Sequence, residues 1–170
     1  MPSHESYVGM NCSVAAAIEV LGERWSFLVI REAFLGSRRF DQFQRNLGIA
    51  RNVLTARLRT LVAQGVLEPR RYQEHPERFD YVLTEKGRSL YPIILALMAW
   101  GDRWASPRAG PPALLVDRET RRPVEPALVD RRTGAPIELG RVGLVPGPGA
   151  NALTRRRFEA ASRAVAARQP

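Results

Sequence analysis

Arg51, Asn52, Thr55 and Arg59 share a spacing that sets them along one side of a single helix. Arginine and asparagine are the two side chains able to form bidentate hydrogen bonds with guanine and adenine, respectively. A duplex major groove admits one α-helix, and base edges are reached from its N-terminal turns and exposed face. The chemistry this stretch offers is therefore recognition of bases in double-stranded DNA, with Arg51, Asn52 and Thr55 in the first turns. Further cations lie close by in sequence. Between residues 38 and 78 nine arginines stand against four acids, a net charge of +5. Arg38 and Arg39 precede this helix, and Arg70, Arg71 and Arg78 follow it, placed for phosphate contact.

The whole chain is basic as well. Its 170 residues carry a formal charge of +9, and Lys86 is the only lysine. GC-rich coding would account for arginine in bulk, so the position of each arginine carries more information than their number. A lone cluster would most simply solvate a helix face; here the order of the surrounding elements argues otherwise. Arg57 is a separate case. It sits beside Leu54, Leu58 and Leu61, so pairing with an acid and contact with DNA stand as equal alternatives.

The elements that must position these residues follow from apolar periodicity. Val14, Ala17, Ile18 and Leu21 form one face of a first helix ending at Gly22. Trp25, Leu28, Val29 and Glu32 share a helical spacing in a second, mostly buried helix stopped by Gly36. Phe40, Phe43 and Leu47 mark a short third helix closed by Gly48. Val53, Leu54, Leu58, Leu61 and Val62 stripe a fourth helix that ends at Gly65. Only "GIAR" separates the third helix from the fourth, a helix-turn-helix. "GVLEPRRYQ" and "RFDYVLT" then read as two strands joined by "EHPE", a hairpin placed as a wing, with Pro69 marking an exposed edge. Thr84 is a candidate N-cap with Gly87 three residues on. Leu90, Ile93, Ile94, Leu97, Met98, Gly101 and Trp104 give the following helix a long apolar face, and Pro92 predicts a kink or a break near its start.

From Cys12 to Gly101 the chain resembles the HxlR family of bacterial transcriptional regulators. The resemblance rests on Gly22 and Trp25 as Gly-x-x-Trp, on Arg39-Phe40, and on the "LTARLRTL", "LTEKG" and "WG" motifs. It implies a winged-helix homodimer that binds operator DNA and pairs through the first and last helices of the domain. Leu90, Ile94, Leu97, Met98 and Trp104 are the candidate interface residues. Cys12 matches the N-terminal cysteine that senses oxidants or electrophiles in some members. It precedes a helix, where unsatisfied N–H groups favour a thiolate. The favoured expectation is nevertheless a small buried packing residue.

Other chemistries find less support. With Cys12 the sole cysteine, no disulfide forms within one chain. That suits a reducing cytoplasm, and neither a signal peptide nor a membrane span is expected. His4 and His75 are the only histidines and stand apart, so a histidine-based triad, and catalysis generally, is not expected. No cofactor is expected. A small-molecule effector is the alternative partner, with Trp25, Trp100 and Trp104 lining a pocket between subunits, although tryptophans at helix-packing positions more commonly serve a core or an interface.

The fold class predicted is mainly α. A winged helix-turn-helix spans residues 10–105, a linker 106–112, a small β extension 113–150, and a basic helix or tail 151–170. The extension contains an internal repeat: "LVDRETRRPVE" (115–125) aligns without a gap on "LVDRRTGAPIE" (128–138). Each copy predicts a small hairpin, with Gly134 suited to positive φ. Asp117/Thr120 and Asp130/Thr133 have the spacing of zinc-ribbon ligands, but threonine is a poor zinc ligand and neither cysteine nor histidine lies near, so a metal-free ribbon is expected. Leu114, Leu115, Val116, Leu128, Val129, Ile137 and Leu139 are its candidate buried residues.

Overall fold

The computed structural model describes residue 7 and residues 9–105 and 110–166, with side chains as far as 163. His4 and residues 106–109 of the expected linker lie outside the described residues. The elements in chain order are α1 (Ser13–Leu21), α2 (Ser26–Phe34), α3 (Phe40–Leu47), α4 (Arg51–Ala63), β1 (Leu67–Gln73), β2 (Arg78–Leu83), α5 (Glu85–Arg88), α6 (Tyr91–Trp104) and α7 (Ala152–Ala166). The chain divides into two compact units. One is Ala16–Pro126; the other combines the residues up to Ala15 with those from Ala127 onward.

In the larger unit the glycine signals fall where the helices stop. Gly36, Gly48 and Gly65 all have positive φ, a conformation that glycine adopts without steric penalty. Helix α3 starts without a capping hydroxyl. Instead the Gln42 side-chain oxygen accepts from the backbone N–H groups of Arg38 (2.8 Å) and Arg39 (3.0 Å). The core joins Leu21, Val29 and Ile30 to Phe43, Ile49, Leu54, Leu58, Leu61, Val66 and Leu67. It thus seats the apolar faces of α3 and α4 on α2 and leaves the opposite side of α4 to solvent.

The Glu32 carboxylate is buried at the end of α2. It accepts from Arg31 Nη2 at 2.7 Å, Asn46 Nδ2 at 3.0 Å and Ser37 Oγ at 3.3 Å. Burial alone would raise its pKa, but the bonds from Arg31, Asn46 and Ser37 outweigh it and hold the carboxyl below the ordinary glutamate value. This cluster ties α2, the α2–α3 link and α3 into one body.

Strands β1 and β2 pair antiparallel, from Leu67 opposite Leu83 to Gln73 opposite Arg78, with a bulge between Arg71 and Gln73. Pro69 lies in this ladder opposite Tyr81, tolerated because a two-stranded sheet has only edges. The α2–α3 link flanks β2: Tyr81 N–H donates to the Arg38 carbonyl at 2.7 Å, and Arg39 bridges Asp80. The Thr84 hydroxyl accepts from Gly87 N–H at 3.0 Å and donates to the Gly65 carbonyl at 2.6 Å, so one side chain caps α5 and fastens it to the end of α4. A Cβ on Gly87 would collide with the Val66 carbonyl oxygen, which makes a side chain there untenable. The long terminal helix is broken rather than kinked. α5 ends at Arg88, and Pro92 sits in the first turn of α6, where a missing N–H costs nothing.

Apolar residues remain outside this core. No residue of α6 is buried in the single chain. In α1, Leu21 is buried while Val14 and Ile18 are exposed.

Both sequence repeats fold alike, each considered within its own unit. In the first, Asp117 N–H donates to the Arg122 carbonyl and Val124 N–H to the Leu115 carbonyl, both at 2.9 Å. In the second, Asp130 and Ile137 donate to Ala135 and Leu128 at the same distance. The expected hairpins are reduced to one bridge each, Val116 with Pro123 and Val129 with Pro136. Side chains support the turns: Asp117 Oδ1 accepts from Thr120 N–H (2.7 Å) and Thr120 Oγ1 (2.8 Å), bonds that lower its pKa. Thr133 Oγ1 donates to Asp130 at 3.2 Å. The turn requires positive φ at one position. Gly134 supplies it at 71°; in the first copy Arg121 does so at 57°. The expected apolar filling is only partial. Leu115 and Val116 are half-buried, whereas Leu114, Leu128, Val129, Ile137 and Leu139 are exposed. Turn hydrogen bonds, more than burial, define these knuckles. In the smaller unit α7 occupies the segment read as a basic helix or tail.

Candidate nucleic-acid interface

Buried Leu54, Leu58 and Leu61 fix the rotation of α4, and the sequence then places Arg51, Asn52, Thr55 and Arg59 on its exposed side. Arg51, Thr55 and Arg59 succeed one another at every fourth position. They line one wall of a cleft of about 440 Å3 whose other wall includes Pro69, Phe79 and Tyr81 of the hairpin. Helix α4 and the hairpin therefore line a basic furrow. The first turn of α4 carries no side-chain cap at Ala50, which leaves backbone N–H groups at the positive end of the helix dipole for an anion.

Aromatic rings orient two of the cations. The Arg51 guanidinium lies 5.0 Å from the Phe40 ring centroid, and that of Arg39 lies 4.5 Å from the ring of Tyr72. Both platforms were missed in the sequence, where Phe40 read only as core and Tyr72 only as a strand residue. Arg39 also stands 3.5 Å from Asp80. The Thr55 hydroxyl donates to the Arg51 carbonyl at 2.8 Å, so it faces a ligand with its methyl and its lone pairs.

The wing's charge is partly compensated. Arg70 Nε donates to Glu68 at 2.8 Å, and Arg71 stands 3.6 Å from both Glu74 and Glu77. Arg78 is exposed at the turn end of the ladder, opposite Gln73 and next to the Arg71–Phe79 pair. The alternatives for Arg57 resolve towards structure: its guanidinium pairs with Glu23 at 3.3 Å, and its side chain is only 17% exposed. Lys86 lies at the far end of α4 and donates to the Gln64 carbonyl at 2.7 Å.

Cys12 differs from the favoured expectation: it is exposed, not buried in packing. The backbone N–H groups of Ala15 and Val14 lower its thiol pKa, and the Arg157 charge adds to the effect. The three tryptophans differ in their surroundings within one chain. Trp25 packs against the core, while Trp100 and Trp104 are 62% and 66% exposed. Among the described residues no cluster of histidine, cysteine and acidic side chains is arranged for a metal, and no helix is long and apolar enough to cross a membrane.

Three short helices and a two-stranded wing, with a basic recognition helix against them, define a winged helix-turn-helix protein. Comparison with known proteins agrees. Residues 20–109 match the model of the HxlR-like helix-turn-helix family. An uncharacterized HTH-type transcriptional regulator of Mycobacterium tuberculosis, Rv3095, is 44% identical over 137 residues, covering 81% of this chain and 87% of the relative. The crystal structure of PA1607 superposes with a TM-score of 0.75 at 34% identity, covering 84% of this chain and 99% of that one. For PA1374 from Pseudomonas aeruginosa the TM-score is 0.62 at 38% identity, with 86% and 99% covered. The redox regulator HypR in its reduced form matches 54% of this chain and 92% of its own, with a TM-score of 0.51 and 33% identity. The chain belongs to the HxlR-like helix-turn-helix family and is a transcriptional regulator.

Proposed function

We propose that two copies of the chain bind one palindromic operator, each inserting the N-terminal half of α4 into a major groove and resting its hairpin on the flanking backbone. The observation that carries this reading is the furrow between α4 and the wing, walled by Arg51, Thr55 and Arg59, with Asn52 exposed in the same first turn. Arg51 and Asn52 read bases. Arg38, Arg39, Arg59, Arg70, Arg71 and Arg78 contact phosphates or the minor groove. Pairing uses the apolar face of α6 with Leu90 at its N-cap: Leu97 and Trp104 are 47% and 66% exposed, Met98 is half-buried, and Leu90 and Ile94 are half-buried where that face also meets the core. Apolar surface of that kind marks an interface.

Genome-wide mapping of binding sites, followed by operator titration, tests the reading. An enriched palindrome is expected, and Arg51→Ala or Asn52→Ala should each weaken operator binding by about 1–3 kcal/mol. Absence of an enriched palindrome, or variants with parental affinity, refutes it. Leu97→Asp should give monomers that no longer bind the palindrome; a parent that sediments as a monomer at micromolar concentration refutes the pairing.

The exposed Cys12 supports a second reading, oxidant sensing, since thiolate character and access govern thiol reactivity. HypR, solved in reduced and oxidized forms, is a redox regulator of similar fold. Mapping with and without oxidant tests it, with Cys12→Ser expected to abolish any difference.

A further inference from the structure

A second cavity, of about 340 Å3, shares Tyr81 with the α4 furrow; neither base reading nor pairing uses it, although its Arg38 and Arg70 are also assigned to the DNA backbone above. Half-buried Ala33, Phe34 and Leu83 form its floor. Exposed Arg38, Arg70 and Arg88 form its rim, and no acidic side chain lines it. The three arginines are not equivalent. Arg70 is engaged by Glu68. Arg88 spends one N–H on the Leu83 carbonyl at 2.8 Å, which fixes its guanidinium while leaving its other donors open. Arg38 has no acidic partner among the described residues. The Ser37 hydroxyl, also in the lining, donates to Glu32 and accepts from Asn46, so it closes the wall and offers a ligand little. An apolar floor beneath two open guanidinium groups is complementary to a molecule with an apolar body and an anionic head. A cleft of this size accepts a single-ring compound.

We propose that this cavity binds a small aromatic or aliphatic carboxylate, held at its head by Arg38 and Arg88 and at its body by Phe34 and Leu83, and that occupancy alters operator affinity. The second half rests on the operator reading proposed above. Its basis is connectivity. The lining comes from the end of α2, the link into α3, the hairpin and α5, and Phe34 also packs on Tyr91 of α6 with ring centroids 4.9 Å apart. A ligand that bridges Arg38 to Arg88 clamps the start of the helix-turn-helix to the base of the wing, so it sets the angle at which α4 and the hairpin meet DNA.

The test titrates the full chain, without DNA, against 3-phenylpropanoate, its amide, acetate and inorganic phosphate, following backbone amide shifts by NMR. The carboxylate is expected to saturate, with the amide, acetate and phosphate each weaker by about tenfold or more, the loss of one charge-assisted contact or of apolar burial. Arg38→Gln and Arg88→Gln should each weaken it by a similar factor. Ala33→Met, which fills the floor, should abolish binding while the circular dichroism spectrum stays parental. Failure to saturate, equal binding of the amide or of phosphate, or parental binding by both arginine variants overturns the site. Operator titration with saturating carboxylate then reads the coupling: a changed affinity in the parent that is absent in Arg88→Gln supports it, and an unchanged affinity overturns it. A parent that binds no operator even without carboxylate refutes the operator reading and leaves the binding result standing.

Discussion

Glu32→Gln isolates the cluster that holds the helix-turn-helix together. The replacement keeps the shape but offers one oxygen where the carboxylate offers two. At one position that oxygen keeps Asn46 and Ser37 and turns an amide N–H2 towards Arg31; at the other it keeps Arg31 and faces Asn46 with a donor. Arg31 is exposed enough to turn into water, so the first arrangement prevails. The loss is then one charge-assisted bond at 2.7 Å plus the weakening of two others, about 2 kcal/mol. The effect carries a pH signature. Because the folded carboxyl titrates below its ordinary value of 4.5, the stability it confers is complete above that value and is lost as pH falls through the folded pKa. Urea unfolding of parent and variant should therefore give a constant gap at neutral and mildly acidic pH, and a shrinking gap below pH 4.5. Equal midpoints at neutral pH, or a gap that widens on acidification, would show that Glu32 does not act as an ionised brace.

Other substitutions probe separate contacts. Gly87→Ala forces a Cβ into the Val66 carbonyl and should destabilise the junction of hairpin and α5 by about 1–3 kcal/mol, measured by thermal unfolding. Arg57→Ala should lower stability by about 1 kcal/mol through loss of the Glu23 pair and of its buried stem, while operator affinity stays parental; a large fall in affinity for a folded variant would return Arg57 to the interface. Arg121→Gly removes a left-handed non-glycine residue and should strengthen its turn by about 1 kcal/mol, read as slower exchange of the Val124 amide; Gly134→Ala should do the reverse at Ile137. Elemental analysis should find no stoichiometric zinc, and a chelator should leave the melting temperature unchanged, because the knuckles close on Asp–Thr bonds.

What the sequence disclosed was what depends on local pattern. Glycines 36, 48 and 65 marked the helix ends, the leucine stripe set the rotation of α4, and the thirteen-residue repeat offset anticipated equivalent turns. What stayed hidden depends on contacts between distant residues. Nothing near Glu32 in sequence announces Asn46, fourteen residues away. Arg57 could be assigned to Glu23 only once α4 was seated on the core. Pairing of the wing arginines required the turn that brings Glu74 and Glu77 back to Arg71. Exposure of Cys12 and of the ribbon leucines was equally illegible, because an apolar or small residue in a string does not declare which surface covers it.

Building the basic surface from arginine has a practical result. Phosphate contacts made by guanidinium forks release condensed counterions on binding, so ionic strength is the dial for affinity. Amine-directed reagents leave that surface untouched. Among side chains they find only Lys86, one helix length from Arg51, or about 20 Å for thirteen residues. A single fluorophore placed there would report on rotation and assembly of the complex without intruding on the furrow it reads.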